Sequence, residues 1–550
     1  MAKTIVVYGA TMAGVAAAAK AAKNAPSATI HLIVPDPVDY NGNGCCLGAI
    51  GTVGGQNFFD IGWKTVNGKQ IFFTKGSFNW WESQMGQHYS VDAMSDLLKR
   101  DLTKAEYGGR IKIHYAYDIT GIGWESSHIT EVRLKRIFRD TDGTVKWDEK
   151  ADTLTIAGDV FIDASESGRL TRMSNFGGTV GRYDWPASQL DSDERGSSGK
   201  ARQQVASLMF KVTGINTSAT EPNPENNTLT RTIFADRDNN GVLSGDGGIY
   251  AYKNNSKIIN FNNTYGPQGF ALKPFNMAQD GPGSDEWWVN MLLVFNVDGR
   301  AYNRDLTGDT SYLFPSDMRS DYKTVDDAWV AARKVLDYPD FLPALRSFFG
   351  FERADLVRDK NGDPVVGNSL YLRETIHSAF SSSARANGTE DTNYALSAKD
   401  FWNPGATKNT GNDSRHYAKR MGLNYYGLDI NAYKFEDLKQ NGQYIWGHEV
   451  TEAARSDIKF PEHVSPTYIT YSAIATNFVY NLLIPGYAAG IASLGWAEAR
   501  TIPNQCVLGD AAGVAAAYAV NNNIDPLNFG SADITAVQNT LKNSGALLEK

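Results

Sequence analysis

The stretch TIVVYGATMAGVAAAAKAA, residues 4–22, decides the fold. Ile5-Val6-Val7-Tyr8 is a continuous apolar run, as in a strand buried on both faces. Val15 to Ala22 is alanine-rich and strongly helix-forming. Between them, Gly9 permits a tight turn and Gly14 lets the helix lie close against the strand. Thr11 stands where a dinucleotide-binding turn usually has its second glycine, and its hydroxyl is placed to meet a phosphate. An anion would sit at the helix N-terminus, where free N–H groups and the macrodipole favour negative charge. A second strand, Thr29 to Val34, follows at the right distance, and Asp36 is the acid available for a ribose hydroxyl. On these residues alone, the alternative is an ordinary βα turn.

Further along, Ser90 is a candidate cap for a helix running to about Glu106. IKIHYAYDI, HITEVRLKRIF and DTLTIAGDVFIDASESG read as a strand meander returning to the parallel sheet. QCVLGDAAGVAAAYAV, residues 505–520, reads as another strand, a turn at Gly509 and an alanine-rich helix holding Gly513. The N-terminus of that helix would face an anion or an electron-rich ring.

A chain of 550 residues predicts two or more structural units. With 42% hydrophobic and 21% charged residues, it has the composition of a globular protein. The net charge of -8 and the lack of a basic run argue against a nucleic-acid partner. FVYNLLIPGYAAGIASLGWA holds asparagine, proline and three glycines, so it is not read as membrane-spanning. Cys45, Cys46 and Cys506 exclude a disulfide framework. Sequons at Asn216, Asn226, Asn254, Asn262, Asn387 and Asn412 lean towards secretion. A secreted or periplasmic protein is expected if a leader was removed, and a cytoplasmic one otherwise.

YGATMAG (8–14), FIDASESGRL (161–170), LYLRETIH (370–377) and the closing run 469–517 occur in an order that resembles FAD-dependent oxidoreductases with a glutathione-reductase-like flavin-binding domain. The branch with a YGGTPAG-like opening turn is the most similar; there, threonine at the second-glycine place is usual. Val34-Pro35, Asp510, His377 and Asn431 occupy places where that family commonly has other residues.

The resemblance implies an α/β fold: a Rossmann-like FAD-binding domain with a parallel sheet and a strand meander, plus an inserted α+β substrate domain. The FAD-binding domain would comprise 1–210 and 341–550, with 211–340 as the insertion. FAD is the implied cofactor and a small molecule the implied partner. In the opening turn, the cofactor contacts would be Gly9, Ala10, Thr11, Met12, Ala13 and Gly14. Asp36, Cys46, Gly51, Thr52 and Asp118 would follow, then Ala164 and Ser165, and finally Gly509, Asp510 and Gly513. No metal site is expected; the stretch DRDNNGVLSGDGG (236–248) lacks the last glutamate of a calcium loop and reads as a solvated loop.

The implied reaction is hydride removal from an alcohol, sugar or amine, with oxygen or another acceptor reoxidising the flavin. The alternatives are a flavin monooxygenase or a non-catalytic FAD-binding protein of the same fold. A thiolate of Cys45 or Cys46 near the ring could attach the flavin covalently. His377 is the leading base, because its ordinary pKa suits proton transfer at neutral pH, with Arg373 or Arg500 holding a substrate group. Tyr426, Asn431 and His448 are the next candidates. Trp80-Trp81 and Trp287-Trp288 read either as core or as a surface on which a ring stacks.

Overall fold

A computed structural model describes residues 3–37, 46–62, 64–66, 69–174, 178–181, 202–223, 229–378, 396, 400–401, 413–454, 465–475 and 478–550. Cys45 and the sequons at Asn226, Asn387 and Asn412 lie outside them.

β1 (Lys3–Tyr8), α1 (Met12–Asn24) and β2 (Ala28–Val34) form the opening unit. α2 (Ser77–Met85) and α3 (Val91–Leu102) then lead to β3 (Ile111–Tyr115). Ser90 is the N-cap of α3, but the helix ends before Glu106, which sits in a separate turn over Ala105–Tyr107. β4 (Tyr117–Glu125), β5 (His128–Arg139), β6 (Val145–Trp147) and β7 (Leu154–Ala157) are the antiparallel meander, after which β8 (Val160–Asp163) rejoins the first sheet beside β1.

β9 (Gly178–Val180) precedes β10 (Ala206–Thr213), which begins a second sheet with β11 (Phe234–Ala235), β12 (Ser244–Gly247), β13 (Phe270–Gln279), β14 (Trp287–Val294) and β15 (Asp355–Leu356). Its order is β11-β12-β13-β14-β10-β15, antiparallel throughout. α4 (Val325–Val335) has Thr324 as its cap, whose hydroxyl accepts from the Asp327 N–H at 3.1 Å. β16 (Ile376–Ser378) pairs with β9. α5 (Ser493–Ala499) and α6 (Ile502–Asn522) follow β17 (Leu482–Leu483), which completes the first sheet in the order β17-β8-β1-β2-β3, parallel throughout.

The expected strand and turn at 505–509 are replaced by one helix. α6 starts at its N-cap Thr501, carries Pro503 in its first turn and runs unbroken through Gly509 and Gly513. The two glycines are spaced four apart because they mark a helix crossing. A β-carbon at Gly509 would lie 2.2 Å from the Ala13 carbonyl oxygen, and one at Gly513 would lie 2.3 Å from that of Ala17. A glycine inside a helix costs about 1 kcal/mol relative to alanine. Here that cost is offset by the close burial of α6 against α1.

Trp81, Trp287 and Trp288 are core residues, with Trp81 donating to Asp101 at 2.9 Å. Trp80 is exposed beneath the Lys104 ammonium, so neither tryptophan pair forms a stacking platform.

Candidate active site

The parallel strands β1, β2 and β8 end on one side of their sheet, and a cleft opens there. Its empty volume of about 750 Å³ falls in the range of small-molecule and cofactor sites. Gly9, Ala10 and Thr11 form one wall, Pro35, Asp36 and Pro37 the second, and Ser165, Glu166 and Ser167 the third. Arg139, Arg304, Tyr302 and Trp329 complete its lining. Ligands of open α/β sheets bind in this crevice, beyond the carboxyl ends of the strands.

Backbone proximity makes the turn what it is. Gly9 has φ +95°, and a β-carbon there would sit 2.6 Å from the Ser165 nitrogen. A β-carbon at Gly14 would fall 1.9 Å from the Gly9 carbonyl oxygen. The Thr11 hydroxyl donates to the Ala164 carbonyl at 2.8 Å and accepts the Gly14 N–H at 3.2 Å. Its proton is thus committed within the protein, and no donor is left for a phosphate. The N–H groups of Met12 and Ala13, ahead of that capped turn, are the helix-end donors available to an anion. Asp163 fastens the third wall by accepting from Ser165 N–H and O–H and from Thr171 N–H and O–H.

Asp118 lies beneath the cleft, fully buried. It accepts from the Tyr8 hydroxyl at 2.8 Å and from Arg304 at 2.5 and 3.0 Å. Burial pushes the Asp36 carboxyl up to about 6, with Asp118 adding to the effect. Burial, then the charge of Asp36, pushes Glu166 up to about 8. The Glu166 Oε1 is buried and has no hydrogen-bond partner among the described residues. These groups fit an extended dinucleotide. The cleft offers donors at a helix N-terminus, an acid past β2 for a ribose hydroxyl, and an orphaned carboxyl that a ligand would cover; Arg304 and Arg139 border it with guanidinium groups already donating to Asp118 and to the Gly143 and Asn368 carbonyls.

A second cluster surrounds the start of α6. Arg500, just before the N-cap, donates to the Tyr371 hydroxyl at 2.6 Å and to Asp429 at 2.5 Å. Arg373 donates to the Val205 carbonyl at 2.6 Å and to the Ser207 hydroxyl at 3.0 Å, with its guanidinium 5.0 Å from the centre of the Tyr371 ring. Lys273, on β13, is only 2% exposed. Its ammonium reaches the Pro274 carbonyl at 3.1 Å and lies 5.4 Å from the Trp446 ring centre. Asp60, Tyr426, Asp429 and Trp446 are partly exposed, Asp429 against Arg500 and Trp446 against Lys273. Burial raises Asp60, with Arg500 holding it back. Burial lowers Lys273 to about 7, and Arg373 acts in the same direction.

The loop at Gly51 joins the two regions. A β-carbon on Gly51 would lie 3.0 Å from the Met12 side chain, on the first residue of α1, and 3.1 Å from Ile502, on the first residue of α6.

Of the residues singled out in the sequence, Gly9, Ala10, Thr11, Asp36 and Ser165 line the cleft together. Met12, Ala13 and Gly14 stand behind it on α1, with Ala164 against Gly14. Cys46 is buried and donates to the Pro37 carbonyl at 3.1 Å; Thr52 donates to the Leu47 carbonyl at 2.5 Å. Gly509, Asp510 and Gly513 lie well inside α6 and do not form a turn. Asp510 accepts from the Ser77 N–H and O–H at 2.9 and 2.6 Å, so it holds the start of α2.

Arg373 and Arg500 come together at Tyr371. His377 is completely buried, 3.1 Å from Glu374, with its ring edge-to-face to Trp496. Tyr426 belongs to the cluster, Asn431 is tied by its backbone to Gln204, and His448 is exposed on the surface. Glu166, Lys273, Tyr371 and Asp429 were not singled out from the sequence. Their partners lie in distant segments, so no short spacing marks them.

Fold and site together define a dinucleotide-cofactor enzyme of the α/β class. The chain belongs to the FAD dependent oxidoreductase family, whose profile matches residues 127–541, three quarters of its length. FAD is its cofactor. No curated protein matches the chain by sequence. Solved structures similar to it include a mutant of the halogenase PltM in complex with FAD, at 10% identity and TM-score 0.33, covering 99% of this chain and 74% of that one. The myxobacterial chondrochloren halogenase CndH is 12% identical with TM-score 0.30, covering 68% of this chain and 65% of that one. The p-nitrophenol 4-monooxygenase PnpA from Pseudomonas putida is 10% identical with TM-score 0.21, covering 38% and 49%. The chain thus spans less than two thirds of the length of the latter two. Among the described residues, no helix is long and apolar enough to cross a membrane.

Proposed function

We propose that the protein is an FAD-dependent oxidase or dehydrogenase. It would take a hydride from a carbon bearing oxygen or nitrogen in a small organic substrate and pass the electrons to oxygen or another acceptor. The observation that carries this reading is the buried charge cluster at the start of α6, joined through the Gly51 loop to the cleft. The flavin, when bound, supplies the hydride chemistry. The chain's own part is to hold, orient and deprotonate.

Met12 and Ala13 N–H groups with Arg139 and Arg304 would hold the diphosphate, and Asp36 a ribose hydroxyl. The N-terminus of α6 favours negative charge near the reacting centre. Asp60 is a partly exposed carboxyl with a raised pKa, and it would accept the substrate's proton. His377 becomes a positioning residue: Trp496 touches its ring and donates to the Arg373 carbonyl at 2.9 Å. The glutathione-reductase-like branch, the YGATMAG turn as its mark, and the division into 1–210 with 341–550 and an inserted 211–340 belong to this same proposal.

The test is the visible spectrum of purified protein, followed anaerobically with a panel of alcohols, sugars and amines. Bleaching of the flavin by one class is expected. Asp60→Asn should slow that bleaching about 10²- to 10⁴-fold while leaving FAD bound. A yellow protein that no member of the panel bleaches overturns the reading. A product carrying oxygen from O2 would instead identify a monooxygenase.

A further inference from the structure

The cluster at the start of α6 holds three buried cations: Lys273, Arg373 and Arg500, each no more than 3% exposed. Arg500 has its carboxylate, Asp429, at 2.5 Å. The other two do not. Among the described residues, no carboxylate lies within ion-pairing distance of Lys273 or Arg373. Lys273 meets one backbone carbonyl, and Arg373 meets a carbonyl and a hydroxyl. The Arg373 Nε is buried with no hydrogen-bond partner among the described residues.

Asp60, Asp246 and Asp429 influence Lys273 from nearby without touching it, and Arg373 repels it. A buried ammonium with no counter-charge is costly, and proteins normally pair it or let it lose its proton. Here the surroundings add a second cation that has no carboxylate partner among the described residues. Asp60, Tyr426, Asp429 and Trp446 are partly exposed, with the Trp446 ring centre 5.4 Å from the Lys273 ammonium.

Lys273 also sits at an irregularity built into its strand. The pairing of β13 with β14 shifts register between Leu272 and Asn276. Regular pairing resumes at Asn276, so the break is confined to Lys273, Pro274 and Phe275, where Pro274 has no N–H to donate to the ladder.

We propose that Lys273 and Arg373 form the receptor for the carboxylate of a small organic acid, so that the substrate is an anion whose oxidisable carbon carries a hydroxyl or an amine. This deepens the reading of the site given above and rests on it for the reaction, though not for the binding. The carboxylate would supply the direct contact that Lys273 and Arg373 lack among the described residues. Its arrival would draw a proton onto Lys273 wherever the amine is partly neutral in the empty site. The charged and titratable groups facing Lys273 in that exchange are Arg373, Asp429, Asp246 and Asp60, with Arg500, Tyr371 and Tyr426 behind them.

The test uses the full chain with its FAD and two pairs of probes: acetate against acetamide, and benzoate against benzamide. Calorimetry at pH 8 in two buffers of different ionisation heat reads affinity and proton uptake. The bound flavin's visible band reports whether the probe lies near the ring. At least one carboxylate should bind ten-fold or more tightly than its amide, with uptake of a fraction of a proton. Lys273→Met should lose that preference and the uptake, while Lys439→Met on the surface should keep both. Equal binding of acid and amide, or no binding of either carboxylate, overturns the proposal on the wild-type protein alone. Unchanged carboxylate affinity in a folded Lys273→Met protein also overturns it. Carboxylate binding by a protein whose flavin no substrate bleaches would sink the proposed reaction and leave the anion receptor standing.

Discussion

At the α1 turn and the α1–α6 crossing, the decisive positions are glycines: a β-carbon at Gly14 or Gly509 would fall 1.9 or 2.2 Å from a backbone carbonyl oxygen. At the start of α6 they are long charged side chains, with Lys273, Arg373 and Arg500 brought from three separate elements. The first region lets backbone come close; the second holds charge away from water. Each has its own failure mode. The glycine region should fail by steric exclusion, completely at the α1 turn and in part at the crossing, whereas the charged cluster should fail by degrees, with the chain still folded.

The largest expected effect comes from Gly14→Val. Its side chain must enter space held by the Gly9 carbonyl, with the Ala164 methyl group also close. Overpacking of this kind costs about 3 kcal/mol, and here it also displaces the donors at the start of α1. The purified variant should be colourless and should take up no added FAD, as read by absorbance after desalting. A yellow Gly14→Val protein with a wild-type melting temperature would break the contrast drawn above.

That glycine was legible in the sequence because its partners are local: strand, turn and helix follow one another within residues 4–22, and their periodicities announce them. The same locality made the β4–β7 meander readable. Gly509 misled for a physical reason. A glycine pair spaced four apart in an alanine-rich run suits a helix start in one context and a helix crossing in another. Only the neighbouring helix decides between them. The cluster was half legible: Arg373 and Arg500 stood near recognisable segments, but Lys273 lies in a strand with no motif, and no carboxylate among the described residues pairs with it.

Gly509→Leu tests the crossing itself. The side chain would meet the Ala13 backbone from the far side of α1, so α6 must move away. A loss of about 2 kcal/mol is expected, seen as a lower denaturant midpoint, with weakened rather than absent FAD binding. If Gly509→Leu lost flavin as completely as Gly14→Val, α6 would be shaping the cleft directly, and the distinction between the turn and the crossing would blur.

Asp429→Asn probes the charged side. It leaves Arg500 buried beside Tyr371 without its carboxylate. Removing one partner of a fully buried pair is strongly destabilising, but Asp429 is about two-fifths exposed, so a loss of roughly 1 to 2 kcal/mol is expected. Adding Arg500→Met should recover part of it. Thermal melts of the single and double variants give the answer, and a double variant no more stable than Asp429→Asn would argue that the pair is not what the site rests on.

The smallest effect separates the regions by pH. Glu166 borders the cleft, and its carboxyl is pushed up to about 8 from 4.5, by burial first and Asp36 second. A raised carboxyl pKa means that the folded protein keeps a proton which the unfolded chain has released. Stability therefore falls as pH rises from about 4.5 to about 8, and is level outside that window. Glu166→Gln removes the slope. Because the cleft is open to water, the gain should be only about 1 kcal/mol at pH 9, shrinking to nothing near pH 4.5. The measurement is the difference in melting temperature between variant and wild type from pH 5 to pH 9, without added FAD. A difference that stays constant over that range would mean that Glu166 titrates as an ordinary surface carboxylate. The cleft would then impose no proton-dependent term, and its demands on the chain would be those of backbone proximity alone.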